Sequence, residues 1–377
     1  MDTFAADGLP PREQWPDLLI EPLGYPDRLN CAVALLDDMV AEHGDRPAFV
    51  TDDETLTYRE LKAKVDRIAH VLVDDLGFVS GNRVLLRAPN NPTLVACWLA
   101  VAKAGGVVVA TMPLLRRKEL TDVVERAAIG LALCDDRLLD EVEGLCDRLV
   151  SFSELDRLAA DKPDAFEAYD TAADDMVLIA FTSGTSGLPK GTMHFHRDVL
   201  AICDTFSREV VKPRPDDVFI GSPPIAFTFG LGGLVTFPMR VGAATVLLEK
   251  AAPDVLIEAI ERHGATVCFT APTAYRAMLA AGVEGRVKTL RRCVSAGETL
   301  PLGTFEAWRA ATGIKLIDGI GATEMLHVFI SAADDDIKPG ATGKPVPGYE
   351  ARVVDDDMND VGPGVVGRLA VRGPTGC

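Results

Sequence analysis

Positions 182–191 read Thr-Ser-Gly-Thr-Ser-Gly-Leu-Pro-Lys-Gly, with four hydroxyls, three glycines and one lysine in ten residues. So few apolar atoms give such a run nothing to bury. Glycine lets a backbone bend sharply and approach a partner closely. Free N–H groups, hydroxyls and one ammonium together form a concave site for an anion rich in oxygen, phosphate above all. Thr182, Ser183, Gly184, Thr185, Ser186, Gly187 and Lys190 are therefore candidate phosphate-binding residues. The run is not the familiar G-x-x-x-x-G-K-[ST] loop, because Pro189 precedes Lys190 and no G-K-[ST] follows. A plain surface linker is the other reading. The density of donors directly after an apolar strand argues against it.

The surrounding elements must position this loop. Met176–Phe181 is an apolar run of strand length, so the loop leaves a core strand. Residues 48–58 alternate around Asp-Asp-Glu as a hairpin, and Thr57-Tyr-Arg-Glu60 is a capping box opening a helix to about Leu76. Strands at 83–88, 106–112 and 130–134 then alternate with helices at 91–104 and 117–128. After a looser, charged stretch (135–175) the rhythm returns. It gives strands at 244–249, 265–270, 292–297 and 314–321, with helices near 254–263 and 301–311. The expected fold is α/β, with parallel sheets covered by helices on both faces and a small C-terminal β-subdomain of hairpins. The expected domains are 1–175, 176–340 and 341–377.

Composition narrows the function. A net charge of −18 repels phosphate backbones, so no nucleic-acid partner is expected and an anionic ligand needs a local nest of donors. The N-terminus has no basic start followed by an apolar stretch, and the most apolar segment (93–110) is broken by Lys103 and Gly105-Gly106. Neither a signal peptide nor a membrane partner is expected. The eight cysteines are scattered without a C-x-x-C, as reduced residues of a cytoplasmic protein would be. A homodimer is the expectation that the general frequency of symmetric dimers supplies.

The 182–191 run resembles the phosphate loop of the acyl-adenylate-forming enzymes: acyl-CoA ligases, peptide-synthetase adenylation domains and luciferases. Four further segments resemble that family in order and spacing. They are Ala226-Phe-Thr-Phe-Gly230, Ser295-Ala-Gly-Glu298, Asp318-Gly-Ile-Gly-Ala-Thr-Glu324 and Gly367-Arg-Leu-Ala-Val-Arg-Gly373, with Ile320 where many members carry an aromatic. The resemblance implies ATP, Mg²⁺ and coenzyme A as cofactors and co-substrate. It implies that Thr182, Ser183, Thr185, Ser186 and Lys190 hold the β- and γ-phosphates, that Thr323 donates to the α-phosphate, and that Glu324 holds the metal. Gly297, Glu298, Thr299 and Asp318, with Gly319 and Ile320 alongside, would frame the adenine. Lys190, Thr323 and Glu324 are the expected catalytic residues.

The acyl pocket would comprise Ala226, Phe227, Thr228, Phe229, Gly230, Ala296, Gly321 and His327. Two phenylalanines followed by Gly230, Gly232 and Gly233 suit a flat ring between aromatic walls and glycine gaps. Ordinary core phenylalanines, a structural His327 and a solvated helix-start Glu324 are the bland alternatives. The run Asp-Gly-Ile-Gly-x-Thr-Glu-Met-Leu-His at 318–327 resembles the benzoate and 2-aminobenzoate CoA ligases, and Thr111–Leu120 resembles the latter more. A small aromatic carboxylic acid is thus the expected partner, 2-aminobenzoate first and benzoate second. Transfer to a carrier protein, a non-catalytic adenylate-binding module and a phosphate-loop kinase are the rival readings. The family's Tyr-x-x-Thr-Gly-Asp segment, hinge and lysine-bearing lid are not found in the 377 residues. A large domain without its lid is therefore expected, able to bind acyl-AMP and impaired in turnover.

Overall fold

The computed structural model describes residues 1–182 and 189–376. Its strands, in chain order, begin with the hairpin β1 (Pro47–Val50) and β2 (Thr55–Thr57). Next come β3 (Arg83–Arg87), β4 (Val107–Thr111), β5 (Leu131–Cys134), β6 (Arg148–Ser151), β7 (Met176–Thr182) and β8 (Lys190–Phe195). The second run is β9 (Val218–Gly221), β10 (Ala244–Val246), β11 (Val267–Thr270), β12 (Arg292–Ala296), β13 (Leu316–Gly321), β14 (Val328–Ser331) and β15 (Lys344–Pro345). A last hairpin joins β16 (Glu350–Val354) to β17 (Arg368–Arg372).

Two mostly parallel sheets result. One has the order β6-β5-β3-β4-β7-β8, the other β15-β14-β13-β12-β11-β9-β10-β1-β2. The expected α/β class holds, with antiparallel pairs confined to β1/β2, β7/β8, β13/β14/β15 and the separate β16/β17 hairpin. Sheet membership crosses the expected 175/176 boundary in both directions. β7 and β8 lie with β3–β6, and β1 and β2 lie with β9–β15. At the other end, β15 joins the larger sheet, so the separate β-unit is only the 350–372 hairpin. The stretch expected to be loose contains β6 and the helix Phe152–Ala159, which is capped by the Ser151 hydroxyl accepting from Glu154 N–H. Only Val150 of β6 is fully buried, so this short edge strand shows no clear alternation.

Three apolar clusters account for the layering. The largest runs between the sheets and takes Val84 and Val108 from one, Phe219 and Val294 from the other. The helix Pro92–Lys103 lies within it and buries every residue except Thr93. A polar face would have had nowhere to go, which explains the unbroken apolar run Leu94–Ala102 within that helix. A second cluster packs the helices Pro253–His263, Pro272–Ala281 and Leu302–Thr312 against the larger sheet. The third packs Arg117–Arg126 against the smaller one. Seven free cysteines lie among the described residues, six of them buried and Cys146 half-buried. No helix among the described residues is long and apolar enough to cross a membrane.

Candidate active site

The hydroxyl-rich loop joins antiparallel strands. Thr182 at the end of β7 pairs directly with Lys190 at the start of β8. A hairpin base therefore brings Thr182 and the exposed Lys190 together, where a nucleotide loop of the G-x-x-x-x-G-K-[ST] kind runs into a helix. The expected phosphate ligands Ser183, Gly184, Thr185, Ser186 and Gly187 lie outside the described residues.

β12 and β13 are parallel neighbours, with Ser295 opposite Asp318 and Ala296 opposite Gly319. Both nucleotide-type motifs consequently leave the carboxyl edge of one sheet side by side, the place where open α/β sheets bind ligands. Gly297 turns the chain there with φ +87, and a Cβ would meet no described atom within 4 Å. Asp318 is half-buried. Its Oδ2 accepts from the Thr342 hydroxyl at 3.1 Å, while Oδ1 has no hydrogen-bond partner among the described residues. Burial pushes this carboxyl above the ordinary aspartate range, against the pull of the Thr342 and Ser295 hydroxyls and the Gly319 N–H. Thr299 and Asp318 line one pocket with Lys338 and Thr342. Glu298 is exposed and accepts from the Thr273 hydroxyl at 3.2 Å.

After β13 the chain makes a single tight turn over Thr323–Met325, closed by the Leu326 N–H donating to the Thr323 carbonyl at 3.0 Å. Leu326 has φ +64, a left-handed geometry that costs a side chain with a Cβ about 1–2 kcal/mol. Glu324 on this turn is exposed. Among the described residues no three His, Cys, Asp or Glu side chains gather as a metal cage. The donor chemistry fits magnesium, which takes one or two carboxylates and completes its shell with phosphate oxygens and water. Glu324 would hold it there, and the ion would supply positive charge against the phosphates.

His327 follows the turn and is buried. Its ring lies 5.6 Å from that of Phe229, 5.2 Å from Phe206 and 4.6 Å from Phe237. Neither ring nitrogen has a hydrogen-bond partner among the described residues. Burial lowers its pKa to about 3, and the nearby Phe229 carbonyl opposes this without meeting hydrogen-bond geometry, so the ring is neutral. The glycines that were expected to leave gaps are filled by the protein itself. A Cβ on Gly230 would lie 2.1 Å from the Pro224 oxygen, and one on Gly232 would lie 2.4 Å from His327 Cδ2. These glycines let backbone and imidazole pack close. Phe227 is 45% exposed and takes no part in the ring cluster; Thr228 is half-buried, while Gly321 and Ile320 are exposed.

Two positioning groups were not expected from the sequence. Asn90, after β3, donates to the Pro223 carbonyl at 3.0 Å and accepts from Ile225 N–H at 2.8 Å, holding the loop that leads to Phe227. His194 on β8 contacts the Thr323 carbonyl at 2.8 Å. Asn90→Ala leaves a buried donor and acceptor unpaired, so unfolding in urea should show a loss of about 1–3 kcal/mol. A variant within a few tenths of wild type would refute that account.

A profile of the AMP-binding enzyme family matches residues 36–376. The benzoate–CoA ligase of Thauera aromatica is 33% identical over 367 residues, covering 93% of this chain and 69% of that protein. The anthranilate–CoA ligase of Pseudomonas aeruginosa is 32% identical over 321 residues, covering 78% and 59%. Among solved structures, the anthranilate CoA ligase AuaEII in complex with anthranoyl-AMP superposes with a TM-score of 0.88 at 30% identity, covering 93% of this chain and 70% of that one. With its motifs at the carboxyl edge of the sheet and its matches spanning nearly the whole sequence, the chain belongs to the AMP-binding, adenylate-forming enzyme family.

Proposed function

We propose that this chain binds and positions the reactants for ATP-dependent activation of an aromatic carboxylic acid, 2-aminobenzoate before benzoate, the acyl group passing on to coenzyme A. A carboxylate oxygen bonds to the α-phosphorus of ATP as the bond to the bridging oxygen breaks. This gives acyl-AMP and pyrophosphate. The thiol sulfur then bonds to the acyl carbon, AMP leaves and the thiol proton passes to solvent. The first step brings two anions together, so donors aimed at the phosphates are its main requirement. The hydroxyl loop from Thr182 with Lys190 serves the β- and γ-phosphates. Thr323 serves the α-phosphate, and Asp318 with its unpaired oxygen accepts from the adenine amine.

The observation that carries the substrate reading is His327: buried, neutral, walled by Phe229 and unpaired at both nitrogens. A neutral imidazole keeps one bare nitrogen, to which an ortho amine can donate. Benzoate has no such donor. The names of the relatives, benzoate and anthranilate ligases, point to the same acid class.

Thermal unfolding with non-hydrolysable anthraniloyl-, benzoyl- and medium-chain acyl-adenylate analogues tests this. At a hundredfold excess over Kd a ligand adds about 2.7 kcal/mol, and each kcal/mol moves the midpoint of a large domain by roughly 2–4 °C. The anthraniloyl analogue should raise Tm most. Equal shifts from all three would remove the aromatic claim and leave recognition of the adenylate alone.

A further inference from the structure

β8 leaves the base of the phosphate hairpin at Lys190 and passes directly beneath the Thr323–Met325 turn. Its alternate residues Thr192 and His194 point inward, His194 with no exposed surface. His194 Nε2 lies 2.8 Å from the Thr323 carbonyl. A carbonyl only accepts, so Nε2 carries the hydrogen and donates. The other nitrogen, Nδ1, has no hydrogen-bond partner among the described residues and lies 3.7 Å from Asp198 Oδ2. That carboxylate is held in turn by the Phe195 N–H at 3.0 Å.

The Thr323 oxygen has a second task, since the Leu326 N–H that closes the turn donates to the same atom. One carbonyl thus receives both the bond that makes the turn and the bond that ties it to β8. The turn ends on a left-handed leucine, a geometry that persists only where its surroundings over-determine it. Water has no access to His194, so removing its donor leaves the carbonyl with no substitute from that side.

We infer that His194 is a positioning residue for nucleotide binding, coupling the phosphate hairpin to the Thr323–Glu324 turn through the Thr323 carbonyl. The inference rests on the proposed reading of that turn as the α-phosphate and magnesium group. His194 touches no phosphate. It fixes the orientation from which the Thr323 hydroxyl and Glu324 carboxylate meet a magnesium–nucleoside triphosphate.

The test compares His194→Gln with His194→Asn in the 377-residue chain. A glutamine amide reaches about as far as Nε2 and can donate to the same carbonyl; an asparagine amide stops about one bond length short. Affinity for α,β-methylene-ATP with magnesium is measured by calorimetry, and Tm is measured for each variant. His194→Gln should bind within about threefold of wild type, and His194→Asn should bind about tenfold more weakly, the worth of one hydrogen bond. A merely structural histidine would move Tm and leave both affinities equal. In a Glu324→Gln background the His194→Asn loss should shrink, because both act through one turn. Wild-type binding with equal affinities for the two His194 variants overturns the inference alone. A wild-type chain that does not bind the analogue, or a Glu324→Gln chain that binds it as wild type does, removes the nucleotide reading and the inference with it.

Discussion

Lys103→Met should lower the free energy of unfolding by about 3–5 kcal/mol, the loss typical of a buried ion pair with one partner removed. Lys103 ends the inter-sheet helix with its side chain almost wholly enclosed, and its Nζ lies 2.6 Å from Asp37 Oδ1 and in contact with Asp66 Oδ1. Asp66 has no exposed surface. Lys62 completes the group, contacting Asp66 Oδ2 and lying 3.5 Å from Asp37. Two cations thus balance two carboxylates. Methionine keeps the volume of the lysine stem and removes its charge, leaving Asp66 without half of its compensation in a low-dielectric core. Lys62 is a quarter exposed, so Lys62→Met should lose much less. Adding Asp66→Leu to Lys103→Met should recover part of the loss, since an apolar replacement of a buried pair is often neutral or better. Urea unfolding of the three variants decides. Lys103→Met within about 1 kcal/mol of wild type would show that the remaining groups reorganise without loss.

This network also shows what a sequence can and cannot reveal. The capping box at Thr57–Glu60 was legible because its partners lie three residues apart, and both of its hydrogen bonds are present. The strands β3, β4, β5 and β7 were legible for a related reason, since unbroken apolar runs of that length between helices imply a parallel sheet. The edge strand β6 is half polar and gave no such signal. β8 was hidden because Lys-Gly-Thr-Met-His-Phe follows a glycine loop and carries little apolar alternation. Asn90 and His194 act on atoms 133 and 129 residues away, and nothing local marks them. The glycines at 230 and 232 show a subtler failure. Their positions could be read, but the sequence does not say whether a ligand or the protein fills the space that they leave. Here the fillers are the Pro224 carbonyl and the His327 ring.

Two buried histidines should make the fold weaken steadily between pH 6.5 and about 3. His196 and His327 are both held at about 3 by burial, below the ordinary value of 6.5. The unfolded chain therefore binds more protons than the folded one across that window, and unfolding free energy must rise with pH there. The contribution is complete above pH 6.5, falls as the solution is acidified, and stops changing below about 3, where both states are charged. At pH 5 the unfolded chain gains roughly 2 kcal/mol for each histidine, taking 1.36 kcal/mol per pH unit below 6.5. About 4 kcal/mol of the stability present at pH 8 should then be missing. The carboxyls held low by ion pairs, such as Asp334 beside Arg292 and Lys212, lose their contribution at lower pH, so the two effects separate along the axis. Urea unfolding at half-unit steps measures the slope. His327→Phe and His196→Asn should each reduce it by about one proton near pH 5. In His196→Asn the new amide oxygen can still accept from the Cys31 N–H, which in the native chain donates to His196 Nδ1 at 3.1 Å. A flat profile between pH 7 and 5 would mean that the rings take up protons without unfolding. In that case the His327 ring would be cationic in acid, and the neutral acceptor proposed for an ortho amine would be lost.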